Sequence, residues 1–160
     1  MEDAAAFAAF FEASYASVTA AVRATLGEAP LARDATDEAF ARAAERWEIV
    51  RAADQPAAWT YRVAVNWAYS WRRKWARRPT RPTEQLDAEH RDVMPDLDLA
   101  HQLAVLPLQQ RQMLVLRLGF GMSVAETAAV LGVAEGTVKS GVHRAKQRLR
   151  EDEEVLDGRA

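Results

Sequence analysis

The chain has 160 residues, 49% hydrophobic and 28% charged, with 33 alanines against only 7 glycines and 6 prolines. That balance supports a packed core and favours helices, and it disfavours both wholesale disorder and turn-rich sandwiches or barrels. The absence of cysteine excludes disulfide frameworks and thiol catalysis, and the 3 histidines lie too far apart in sequence to suggest a metal centre. The longest unbroken apolar run, residues 4–11, is too short to span a bilayer, and Glu2 and Asp3 stand where a secretory leader carries positive charge. The expectation is a cytoplasmic chain with no cofactor and no membrane insertion.

Phe7, Phe10, Phe11, Ser14, Val18, Ala21, Val22 and Thr25 recur at steps of three and four, which predicts an amphipathic first helix ended by Gly27 and Pro30. Asp34 can cap a second helix, whose apolar stripe runs through Phe40, Ala43, Ala44 and Trp47. Its other side shows Glu38, Arg42 and Glu45, with Glu38 and Arg42 spaced for an i,i+4 ion pair. A third helix starts after Asp54-Gln55-Pro56 and runs to about Arg78. Residues 79–98, with three prolines and six acids, read as a flexible acidic linker. Fully extended, about 20 residues reach roughly 65–70 Å, enough to separate two modules. Four more helices follow at 99–106, 108–118, 124–131 and 136–150, and residues 151–160 form an acidic tail. The predicted fold class is all-α: two small helical domains, residues 1–78 and 99–150, joined by that linker, the second containing a helix-turn-helix.

The net charge of -2 conceals segregation: residues 61–82 hold seven bases and no acid, and residues 111–150 hold seven bases against Glu126 and Glu135. Two basic blocks in an otherwise acidic chain imply two places that meet a polyanion. On a wheel of the third helix, Trp59, Arg62, Asn66, Ser70, Arg73 and Arg77 form one polar stripe with Trp67 and Tyr69 at its flanks, while Tyr61, Ala64, Ala68, Trp71 and Trp75 fall opposite and suit a core. Guanidinium groups neutralise phosphates, an asparagine amide reads a base edge, and aromatics stack on unpaired bases. The competing reading is an ordinary solvated helix face.

Ser123-Val124-Ala125-Glu126 has capping-box spacing, and Leu131-Gly132 supplies a stop before the last helix. A short helix, a glycine-containing turn and a longer basic helix make the helix-turn-helix pattern, although any glycine-linked helical hairpin mimics it. On the last helix Val138, Val142, Ala145 and Leu149 face inward. Lys139, Ser140, His143, Arg144 and Gln147 face away, the side-chain types that read a major groove and its phosphates.

With these elements in order, the chain resembles the small two-domain bacterial RNA polymerase sigma factors of the extracytoplasmic-function group. The resemblance rests on Asp37-Glu38-Ala39-Phe40 with Arg46-Trp47, on residues 58–66, on Leu106-Pro107-Leu108-Gln109-Gln110-Arg111, and on residues 131–140 with His143-Arg144-Ala145. It implies no enzymatic activity of the chain's own: the chemistry belongs to the polymerase. It further implies that Asp37, Glu38, Arg42 and Glu45 dock on the β′ clamp helices of core polymerase. The stripe from Trp59 to Arg77 would meet the minus-ten element, with Asn66 near its flipped base. The second module would rest on the β flap, with Lys139, Ser140, His143, Arg144 and Gln147 on the minus-thirty-five element. An anti-sigma protein is a further partner of the same kind of factor.

The chain departs from the family pattern at Ala134, which replaces the usual hydroxyl cap, at Gly141, which replaces an arginine at an expected cost of about 1 kcal/mol for glycine inside a helix, and at Ser70-Trp71 and the run before Ala39. Rival readings are a stand-alone dimeric helix-turn-helix regulator and a helical nucleic-acid enzyme. The second needs clustered carboxylates or a nucleophile–base pair, and neither is spaced in this sequence.

Overall fold

The computed structural model describes residues 2–77 and 97–158. Apart from residues 97 and 98, the predicted linker lies outside the described residues. Among the described residues eight α-helices follow one another: α1 (Glu2–Leu26), α2 (Ala29–Glu45), α3 (Trp47–Arg51), α4 (Pro56–Ala76), α5 (Leu97–Ala104), α6 (Leu108–Leu114), α7 (Val124–Leu131) and α8 (Glu135–Asp157). A π-helical turn, Val115–Gly119, continues α6. Among the described residues there is no strand, and the all-α expectation holds.

The first helix ends at Gly27, whose φ of 78° a side chain would oppose. Pro30 does not close α1, as expected, but opens α2, with Glu28 as the N-cap and Asp34 inside the helix. Proline's fixed φ and missing N–H suit a first helical turn, where the amide has no intrahelical partner. The same device starts α4 at Pro56.

Helices α1, α2 and α4 pack around Val18, Val22, Leu31, Phe40, Tyr61 and Val65, all buried. Ala32, Ala35, Ala39, Ala64 and Ala68 line the crossings, so the alanine richness lets backbones approach closely. At one end Phe10 stacks against Phe40 and Trp47 at ring distances of 5.5 and 5.2 Å, with Phe7 edge-on to Trp47 at 5.4 Å. By length and composition α1 is apolar enough to cross a bilayer. Here its inner stripe packs against α2, α4 and α5.

In the C-terminal half α6 crosses α8, and the capping box forms as spaced. Ser123 Oγ accepts from the Glu126 amide at 3.1 Å, and the Ser123 amide donates to Glu126 Oε2 at 2.7 Å. Gly132, at φ 67°, ends α7 in the left-handed region.

The two halves share a buried cluster. Tyr61 of α4 lies 5.5 Å from the Phe120 ring, and its hydroxyl pairs with that of Thr25 at 2.7 Å. Arg111 reaches back from α6, donating through Nη1 to the Thr25 carbonyl at 2.6 Å and through Nε to Leu106 O at 3.0 Å. Burial pushes the Tyr61 phenol far above its ordinary pKa.

Candidate nucleic-acid interface

The polar stripe of α4 is divided by its neighbours. Trp59 and Arg62 are half-buried and line a cleft of about 260 Å³ shared with Met122, Glu126 and Val130, so α7 forms its opposite wall. Asn66 is exposed, Ser70 half-buried, and Arg73 and Arg77 exposed, with Arg73 Nη2 donating to Ser70 Oγ at 3.4 Å. The open part of the stripe borders a groove of about 400 Å³ lined by Arg42, Val63, Asn66, Trp67, Ser70 and Trp71, with Lys74 at its far end.

Trp71 and Trp75 are not core residues. They are 38% and 52% exposed, stacked on each other at 5.2 Å between ring centroids. At their height the α1–α2 turn meets the Arg72 side of α4 and leaves both tryptophans at the solvent boundary. From Trp71 to Arg77 every residue except Arg72 is exposed. Arg72 is held at the α1–α2 turn by the Leu26 carbonyl at 3.3 Å and the Glu28 carboxylate at 3.1 Å.

On α2, Arg42 and Glu38 form the expected i,i+4 pair at 2.8 Å, and Glu45 is exposed at the helix end. Such an exposed pair contributes well under about 1 kcal/mol to stability, leaving both groups available to a partner. Asp37 is exposed and accepts the Tyr15 hydroxyl at 2.5 Å. Partial burial, and then this bond, raise the Tyr15 pKa. Arg42 also lines the groove beside Asn66, which brings two residues assigned to different partners into one concavity. Trp67 lines the groove as a flank of the stripe, whereas Lys74 and Trp71 lie outside the stripe that the wheel picks out. Their signal was the i,i+4 series Val63, Trp67, Trp71, Trp75 beside Asn66, Ser70, Lys74.

On α8, Lys139, Ser140, His143, Arg144 and Gln147 are all exposed, opposite buried Val138 and Ala145. Ser140 Oγ donates to the Gly136 carbonyl at 3.0 Å, and Gln147 Nε2 to Glu151 at 3.3 Å. Ala134 is the N-cap and makes no side-chain cap bond. The helix continues to Asp157, past the expected end at Arg150, because strong helix formers such as Glu153 and Glu154 run on with no glycine before Gly158. No group of three metal-ligating side chains occurs among the described residues.

The family model for sigma-70, region 4, matches residues 96–149. The ECF RNA polymerase sigma factor SigM of Mycobacterium tuberculosis is 39% identical over 94 residues, covering 57% of this chain and 48% of that one. The RNA polymerase sigma-E factor of Streptomyces coelicolor is 40% identical over 141 residues, covering 81% of this chain and 76% of that one. The chain belongs to the extracytoplasmic-function RNA polymerase sigma factors. Its fold is that of the Bartonella quintana sigma factor RpoE solved with the anti-sigma factor NepR, at a TM-score of 0.73 and 23% identity over 91% of this chain and 94% of that one.

A sigma factor directs polymerase in transcription initiation and is a DNA-binding regulator. In this sigma factor the region 4 match spans α5 to α7 and most of α8, and within it Gly141 has a packing role. A side chain at Gly141 would collide with Met113 Sδ, so the glycine admits the buried Met113 to the α6–α8 crossing. The expected helix penalty is thus accompanied by close packing. Gly141→Leu is expected to destabilise the sigma factor by about 1–3 kcal/mol through overpacking. Adding Met113→Ala should return part of that loss, since the two side chains contend for one space. Thermal melting of the three variants checks this; a Gly141→Leu protein melting at or above the parent would contradict it.

Proposed function

We propose that this sigma factor brings core polymerase to promoters by meeting the minus-ten element through α4 and the minus-thirty-five element through α8, and that it assists melting at the first. The observation that carries the reading is a pair of cationic, amide- and hydroxyl-bearing helix faces, one on each half, each exposed opposite a buried stripe. Asn66, Ser70, Arg73 and Arg77 meet DNA from the open part of the stripe, and Trp59 and Arg62 from the cleft whose other wall is α7. Asp37, Glu38, Arg42 and Glu45 dock on the β′ clamp helices, and the second half rests on the β flap. Residues 1–60, with ten acids against five arginines, disfavour DNA binding by the free chain, so polymerase supplies the positioning. The factor acts in the cytoplasm, and an anti-sigma protein that withholds it belongs to the same reading.

Reconstitution with core polymerase, followed by sequencing of the initiated transcripts, tests the proposal. Start sites sharing two upstream elements are expected; initiation no different from core polymerase alone would end it. Within that system Arg144→Ala is expected to lower use of promoters with an intact minus-thirty-five element by about ten- to a hundredfold, the value of one good base contact. An unchanged promoter ranking in run-off transcription would refute the assignment of α8.

A further inference from the structure

We infer that Tyr15 is a positioning residue for polymerase docking: its hydroxyl holds the Asp37 carboxylate in the orientation that a cationic group of the polymerase meets. This rests on the reading above, in which Asp37 is one of the docking residues of α2. The bond runs from α1 to α2, with Tyr15 Oη donating to Asp37 Oδ1 at 2.5 Å across 22 residues of sequence. A length of this kind belongs to charge-assisted O–H···O⁻ bonds, roughly twice as strong as neutral ones.

The phenol ring is itself held in place. It is half-buried, with its centroid 4.9 Å from that of Phe11 and 5.5 Å from that of Phe40. Burial, and then the Asp37 bond, raise the Tyr15 pKa, so the hydroxyl keeps its proton and remains a donor at neutral pH. Asp37 is exposed, and the bond occupies one of its oxygens, leaving the other and the negative charge to a partner. Glu38, its neighbour on α2, is held differently, because Arg42 at 2.8 Å offsets its charge within the helix. Among the described residues no cation pairs with Asp37. An ordinary exposed carboxylate turns among rotamers and gives up that freedom on docking. One already fixed gives up little, so affinity rises without a new contact. The competing role for the bond is to fasten α1 to α2. That is already done by Val18, Val22, Ala32, Ala35 and Ala39, all fully buried, and one hydrogen bond near the surface adds little to them.

Equilibrium binding of the full chain to core polymerase, arranged as a double-mutant cycle, tests the assignment. Asp37→Ala is expected to lose about tenfold in affinity. Tyr15→Phe keeps the ring and its aromatic contacts and is expected to lose about three- to tenfold. The double variant should lose no more than Asp37→Ala alone, since without the carboxylate the hydroxyl has nothing to orient. A merely structural hydroxyl would cost the same factor in either background. Thermal melting of Tyr15→Phe is expected within a few degrees of the parent; a larger fall makes the hydroxyl structural and overturns the assignment. Losses that multiply in the double variant overturn it as well. So does a Tyr15→Phe chain that binds like the parent while Asp37→Ala is impaired, and in both cases the docking of Asp37 stands. Asp37→Ala binding as tightly as the parent overturns the docking of Asp37, and the role of Tyr15 with it.

Discussion

Replacing Tyr61 with alanine is expected to destabilise the fold by about 3–5 kcal/mol, the usual cost of deleting a buried aromatic ring. That is a large part of the roughly 5–15 kcal/mol that holds a domain together. The ring is fully buried, lies 5.5 Å from Phe120, and stands where the two halves meet. Because the cluster is shared, both halves should loosen together, in one urea transition followed by circular dichroism. A change below about 1 kcal/mol would deny Tyr61 that place. Tyr61→Phe keeps the ring and loses one hydrogen bond, about 1 kcal/mol, since Thr25 still donates to the Ala21 carbonyl at 2.9 Å. Burial raises the folded pKa above the ordinary 10.0. The unfolded chain therefore ionises first, and the phenol's contribution is complete below pH 10 and lost as the pH rises beyond it. Tyr61→Phe should flatten that alkaline decline.

Asn66→Ala is expected to lower open-complex formation by about ten- to a hundredfold while leaving closed-complex binding nearly unchanged. The amide is exposed beside the groove, where it is free to meet a base edge that becomes available only when the strands part. Losing it removes a contact to the melted state and leaves Arg73 and Arg77 on the phosphates. Footprinting measures the closed complex and permanganate reactivity the open one. Equal loss in both would assign Asn66 to general backbone binding instead.

Much of the local structure was legible because its causes are local. The Ser123–Glu126 capping box, the Gly132 stop and the Glu38–Arg42 pair each depend on residues within one or two turns. The exposed face of α8 was equally legible, because Val138 and Ala145 mark its buried side at helical spacing. Pro30 was misread since a proline can end one helix or begin the next, and only the backbone path after Gly27 decides which. Trp71 and Trp75 were misread for a different reason. Periodicity gives the angle of a side chain around its helix, but burial also needs a neighbour against that side at that height, and near the end of α4 the α1–α2 turn meets Arg72 instead.

By itself the order of residues determined an all-helical chain with two basic helix faces and their caps, because helix propensity, capping and charge segregation act over a few residues. Only the tertiary structure decided that α7 shares a cleft with Trp59 and Arg62, that Arg42 and Asn66 border one groove, and that Gly141 makes room for Met113. Each of these joins residues distant in sequence. Such contacts depend on how helices stack and where each one ends, and no periodicity along a single helix encodes that.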